Sequence, residues 1–186
     1  MLAAEVVFFS LPILISGVMH HFVVVRYDLL SFLKKPVDLG LAWRGKRILG
    51  NSKTFRGFIV LTVLSGSLMA VMSWFMNVPL KYNPYLCGGL LGFGYSLLEL
   101  PNSFLKRRMG IGESSCAEEG CKPFFYILDQ TDSIVGALLF LPVIYSPSRE
   151  LIISLFFLGV FLHAALDICL HNFGYKRKTA GAIPSQ

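Results

Sequence analysis

Charge is what this sequence has least of. Asp, Glu, Lys and Arg make up 15% of the 186 residues, where a soluble domain carries about a quarter. With 54% hydrophobic residues, the chain holds more apolar surface than a soluble domain of this size can hide. A soluble enzyme, a disordered chain and a disulfide-stapled secreted domain are thereby excluded. Acidic residues are scarcer still, 11 against 17 Lys and Arg. No Lys or Arg precedes Arg26, so the first apolar run lacks the positive region that opens a signal peptide. The Gly-Lys-Ser/Thr ending of a P-loop is missing as well. What remains is a small all-α integral membrane protein, a single transmembrane domain over residues 1–186.

Membrane-length apolar runs of about 20 residues occur five times, at about 6–25, 57–78, 85–105, 124–145 and 151–173. The basic residues divide unevenly between them. Fifteen of the 17 Lys and Arg lie in the first loop, the third loop and the tail, and two lie in the other connections. Cytoplasmic segments collect Lys and Arg, which predicts five transmembrane helices with the N-terminus out and the C-terminus in. Two basic loops then face the cytoplasm, in a multi-pass cell-membrane protein. Interleaving of the basic residues with apolar runs speaks against nucleic acid as a partner. Cys116 and Cys121 are spaced for a small disulfide, but this topology puts them in a reducing compartment, so free thiols are expected. Gly88, Gly89 and Gly92 lie at helix-packing spacing.

Acidic residues inside apolar runs carry the chemistry. Asp129 and Asp132 stand three apart, on one helix face. Carboxylates at membrane depth are costly and commonly functional, and two of them one turn apart repel unless a cation or proton sits between. Mg²⁺ held by one or two carboxylates together with substrate phosphates is the usual solution. Glu99 is a third such acid, open both to metal ligation and to pairing with a base. Pro101 follows it, and Glu99, Ser103 and Lys106 fall on one face. Lys106, Arg107 and Arg108 then form a basic helix end, by default a lipid-headgroup anchor, here with a polar face beside it suited to phosphate. The first loop alternates basic residues with glycines from Gly40 to Gly57. Asn51, Lys53 and Arg56, just before the second span, are candidates for an anionic ligand. His20, His21, His163, which is four residues before Asp167, and His171 read more readily as ordinary polar contacts than as catalytic bases.

The stretches 35–40, 44–57, 103–111 and 128–132, in this order, resemble the CDP-archaeol synthase family, compact relatives of the phosphatidate cytidylyltransferases. The resemblance runs in register from about Leu33 through the fourth span and more loosely through the fifth. It implies a five-helix membrane enzyme that joins CTP to a lipid phosphate, giving a CDP-lipid and pyrophosphate with Mg²⁺. By position, Asp129 and Asp132 match the family's paired aspartates, with Lys106 beside them as catalytic residues. Lys53, Thr54 and Arg56 match its Lys-Thr-aromatic-Arg stretch, and Ser103, Lys106 and Arg107 its Ser-x-x-Lys-Arg stretch. Asn51, Asn102 and Arg108 complete the expected substrate-binding set, and Asp129, Asp132 and Glu99 the expected metal set. The chain departs from the pattern at Leu98-Glu99, at Gly50-Asn51 and at Asp167. Isoprenoid-ether and diacyl glycerol phosphates are both apolar-tailed and both remain open as acceptors. A transporter or ion pathway is the alternative outside the enzymes, and the basic loops on one side, without an inverted repeat, argue against it.

Overall fold

A computed structural model describes residues 2–111 and 122–172, with the side chains of residues 2–111 and 123–169. The expectations for Cys116 and Cys121, and for the side chain of His171, lie outside this range. The described chain is helical apart from one short hairpin. Helix α1 spans Leu2–Met19 and runs on as a π-helical turn, His20–Val25. Helix α2 spans Phe55–Met72, α3 Pro84–Arg108, α4 Lys122–Ile144 and α5 Arg149–Asn172.

Four of these segments are long and apolar enough to cross a membrane: Leu2–Val25, Phe55–Met72, Pro123–Ile144 and Arg149–Cys169. Helix α3 is long enough, about 37 Å at 1.5 Å per residue, but its glycines, serines and Glu99 dilute its apolar character. It is also the helix that packs most extensively, between α2 and α4. Large apolar side chains such as Val63, Leu139, Ile153, Phe157 and Phe161 point outward, whereas Ser16, Ser65, Ser96, Asn102, Gln130, Asp132 and Ser133 are buried. This inside-out distribution is that of a membrane protein, whose polar groups find partners within the bundle.

Small residues set the helix spacing. A Cβ on Gly88 or Gly92 would overlap the backbone of α2, and one on Gly136 would overlap the carbonyl of Gly94. The α2–α3 and α3–α4 seams therefore close backbone to backbone, and Ser65 Oγ donates across the first to Gly88 O at 2.8 Å. The expectation that Gly88 and Gly92 serve packing agrees with this.

The helix ends follow local chemistry. Thr54 caps α2, accepting from Gly57 N at 3.4 Å. Asn83 caps α3, accepting from Tyr85 N at 2.9 Å, with Pro84 in the first turn. The second apolar run departs from its expected length, because α2 stops at Met72 rather than near residue 78. Pro79 disfavours helix in the residue before it, and Trp74 and Phe75 are among the most exposed aromatic residues of the molecule, as expected of an interfacial belt. The segment is pinned instead by Lys81, whose N–H reaches Ile144 O at 2.9 Å and whose Nζ reaches Pro142 O at 2.7 Å.

Candidate active site at the α3–α4 seam

The first loop is ordered by one carboxylate. Asp38 is buried, its side chain 1% exposed. It pairs with the Arg47 guanidinium and accepts from Leu49 N at 2.9 Å, Gly50 N at 3.1 Å and Gly40 N at 3.1 Å. Burial alone would raise its pKa, but Arg47 and these three amides outweigh it and hold the carboxyl well below the usual range. Strands β1 (Ala42–Trp43) and β2 (Lys46–Arg47) pair antiparallel around Arg44 and Gly45, both with positive φ, the backbone of a two-residue hairpin turn. The ends of the loop meet where Val37 N donates to Lys53 O at 2.8 Å and Phe55 N to Lys35 O at 3.0 Å.

Arg108, at the end of α3, clamps this hairpin. It donates to Trp43 O at 2.6 Å, Arg47 O at 2.7 Å and Lys46 O at 2.9 Å. Its guanidinium lies 5.4 Å from the Trp43 ring centroid and 5.3 Å from that of Phe104. Expected as a substrate contact, Arg108 is thus occupied in joining loop to helix. Arg56 is likewise engaged: it is buried and donates to Asp28 Oδ1 at 2.6 Å and Leu29 O at 3.2 Å. Arg56 and Lys34 together hold the Asp28 carboxyl below its usual pKa. Thr54 is the α2 cap. Asn51 is exposed and accepts from Arg47 Nη1 at 2.9 Å. Arg107 Nη1 donates to Ile111 O at 2.6 Å, and Ser103 is buried beside Asn102.

The remaining expected residues converge where α3 crosses α4. Asn102 Nδ2 donates to Asp129 Oδ1 and to Asp132 Oδ2, each at 2.7 Å. Lys106 Nζ contacts both Asp129 oxygens, at 2.5 and 2.6 Å. Lys53, carried in by the loop, pairs with Glu99. Burial disfavours its ammonium, but Glu99, Asp132 and Asp129 prevail and raise its pKa above that of an ordinary lysine. Ser133 Oγ donates to Glu99 Oε1 at 2.8 Å, and Ser133 N to Asp132 Oδ1 at 2.6 Å. Three carboxylates and two ammonium groups thus share one cluster. Asp132 is buried and Asp129 is open, its side chain 43% exposed.

This donor set bears on a metal. Asn102 Oδ1 is buried and has no hydrogen-bond partner among the described residues, while the Nδ2 end of the same amide faces both aspartates. The carboxylates of Asp129 and Asp132 are of the chemistry that a hard oxygen-seeking cation takes, and the amide oxygen would join them only with the Asn102 amide turned over. Glu99 is taken up by Lys53 and Ser133, and among the described residues no three His, Cys, Asp or Glu side chains gather as a metal-binding group. Sequence reading missed Ser133, Gln130 and Tyr95. Gln130 Oε1 lies 2.8 Å from His163 Nδ1, linking α4 to α5, and the Tyr95 ring meets the His163 ring edge-on, centroids 6.2 Å apart. Position was the available signal, since Ser133 and Gln130 each adjoin an expected aspartate.

A helical bundle with an outward apolar surface, whose central seam carries paired carboxylates and lysines beside an ordered basic loop, defines a class of protein: an intramembrane protein with a charged centre. The comparisons make the class particular. A model of the family described as CarS-like, CDP-archaeol synthase, matches residues 5–178. The CDP-archaeol synthase of Methanospirillum hungatei is 31% identical over 155 residues, 76% of this chain and 87% of that one. That of Thermococcus kodakarensis is 32% identical over 147 residues, covering 76% and 80%. The chain belongs to the CDP-archaeol synthase family. Its fold is similar to that of a solved intramembrane enzyme for archaeal membrane lipid biosynthesis, with a TM-score of 0.60 and 24% identity over 87% of this chain and 92% of that one.

Proposed function

We propose that this protein is a CTP-dependent cytidylyltransferase that converts a lipid phosphate to its CDP-activated form and releases pyrophosphate. Family membership supports the activity, and the name its relatives carry favours an isoprenoid-ether lipid of the archaeol type as acceptor. The observation that carries the site assignment is the Asn102 amide bridging Asp129 and Asp132, with Lys106 on Asp129 and Lys53 within reach.

In this reading an oxygen of the lipid phosphate attacks the α-phosphorus of CTP. A new P–O bond forms, the bond to the β-phosphate oxygen breaks, and pyrophosphate leaves with that electron pair. The attacking phosphate is already ionised, so no strong base is required. Mg²⁺, held by Asp129 and Asp132, would supply neutralisation of the phosphate charge. Lys106 and Lys53 place fixed positive charge on the same centre, where preorganised charge stabilises the phosphates as they react. Glu99 and Ser133 orient Lys53. Arg108, Arg47 and Asp38 hold the basic loop over the end of α3, where Asn51 and Arg107 can meet a nucleotide. Helix α3 crosses the membrane with the other four segments, making five spans, the N-terminus lies outside, and the site faces the cytoplasm. The charge distribution supports that orientation.

The test is product formation by purified protein in detergent with CTP labelled at the α-phosphate, Mg²⁺ and a lipid phosphate. Label is expected in the lipid fraction, with isoprenoid-ether glycerol phosphate preferred over its diacyl counterpart. Label that stays in CTP with both acceptors contradicts the assignment.

A further inference from the structure

Between the first span and the basic loop lies a turn, residues 26–33, whose outward face is apolar. Its depth is fixed from two sides. It follows directly on Val25, where the first membrane-length segment ends, and it is gripped by Arg56, in the first turn of α2, where the next one begins. The buried Arg56 guanidinium donates to Asp28 Oδ1 at 2.6 Å and to Leu29 O at 3.2 Å, and Leu29 N donates to Val24 O at 2.9 Å. Held from within, the turn presents its side chains outward. Tyr27 and Phe32 are each 71% exposed, and Leu29 and Leu30 are exposed between them. Leu30 does so with a φ of +55°, uncommon backbone for a bulky residue. Exposed basic residues frame the apolar face, Arg26 before it and Lys34 and Lys35 after it. Asp28 is the one acid between Glu5 and Asp38, and Arg56 and Lys34 both pair with it, so the surface carries a surplus of positive charge.

We propose that this turn is a docking surface for anionic phospholipid headgroups, with Tyr27, Leu29, Leu30 and Phe32 seated among the upper acyl chains and Arg26, Lys34 and Lys35 on the headgroup phosphates. Aromatic and aliphatic side chains at the end of a span, framed by Lys and Arg, match the boundary between acyl chains and headgroups. Water would leave four large apolar side chains within six residues exposed, and a neutral leaflet would leave the basic frame without counter-charge. An anionic leaflet meets both. The inference needs the membrane-spanning bundle and not the cytidylyltransferase reading, and none of these residues belongs to the α3–α4 cluster.

The probe is phosphatidylglycerol, a phosphodiester with no phosphate monoester to attack CTP, so the measurement reads this surface and not the catalytic centre. The full chain is placed in nanodiscs of phosphatidylcholine with about a quarter phosphatidylglycerol, and the association of chain-spin-labelled lipids is compared. Phosphatidylglycerol should associate about threefold or more strongly than phosphatidylcholine, and Lys34→Gln/Lys35→Gln should bring that preference below about 1.5-fold. Lys34→Arg/Lys35→Arg should keep it. Arg44→Gln/Lys46→Gln, which removes as much charge from the hairpin, should keep it as well. Salt at about 1 M should weaken it in the wild type, because the charges are exposed. Depth is read with Phe32→Trp. The added emission, taken as the difference from wild type, should be quenched by lipid brominated near the top of its acyl chain and spared by acrylamide. A preference that survives Lys34→Gln/Lys35→Gln, an equal loss in the hairpin variant, or quenching by acrylamide alone overturns the proposal, and the last would make the turn a water-facing surface.

Discussion

Asp38 shows how one residue can order a loop. Its carboxylate extends what the two-residue ladder of the hairpin can hold, collecting one guanidinium and three amides in a buried position. Hydrogen bonds to a charged group contribute about 1.5–3 kcal/mol each in net terms, so losing the charge is costly. Asp38→Asn should loosen the loop by about 1–3 kcal/mol, read as faster hydrogen exchange at Gly40, Leu49 and Gly50. The pH dependence has a definite sign. A carboxyl whose pKa is depressed in the fold stabilises fully above its unfolded value, near 4, and the contribution fades as pH falls through the lower folded value. Wild-type protection of these amides should therefore persist at pH 5, and an alkaline optimum for it would contradict the assignment. Arg108 acts at the same scale. Arg108→Lys keeps the charge but not the planar fork over Trp43 and Phe104. It should raise KM for CTP by about tenfold with a smaller effect on kcat, and the reverse split would place Arg108 on the reacting phosphates instead.

At the scale of elements, the site exists because α3 and α4 approach backbone to backbone. Gly94 and Gly136 face each other there, and a Cβ on Gly136 would overlap the Gly94 carbonyl and press on Leu98. Gly136→Ala should separate the helices where Asn102 spans Asp129 and Asp132, lowering Tm and cutting turnover by about tenfold or more. Retention of both would show the seam to be looser than the geometry requires. The helices themselves were largely legible, because apolar length and caps such as Thr54 and Asn83 act locally. The end of α2 was not, since the apolar run continues past Met72 into an interfacial turn. Helix α3 was recognisable as a helix, although its small and polar residues, which serve its central position, dilute the membrane signal. The hairpin at 42–47 was invisible to pattern, being two residues per strand and held by side chains distant in sequence.

For the whole molecule, the uneven basic residues predict that a reporter after Gln186 reads cytoplasmic and one near Met1 external. The opposite result would invert the orientation proposed for the site. The acids were legible as a site because carboxylates in apolar runs demand an explanation. The sequence could not say which of them would be neutralised by lysine. Lys53 reaches Glu99 across 46 positions, and Arg56 and Arg108, of the same basic character, turn inward to hold the loop. Asn102, Asp129, Asp132 and Lys106 thus form the centre, with Lys53 and Glu99 beside it. The most direct test of that centre is Asp129→Asn, which preserves shape and removes one charge. With CTP, Mg²⁺ and an accepted lipid phosphate, CDP-lipid formation should fall by about 10²-fold or more while the purified variant keeps its helical signal and its Tm. Near-wild-type formation of CDP-lipid by a folded Asp129→Asn protein would contradict the account.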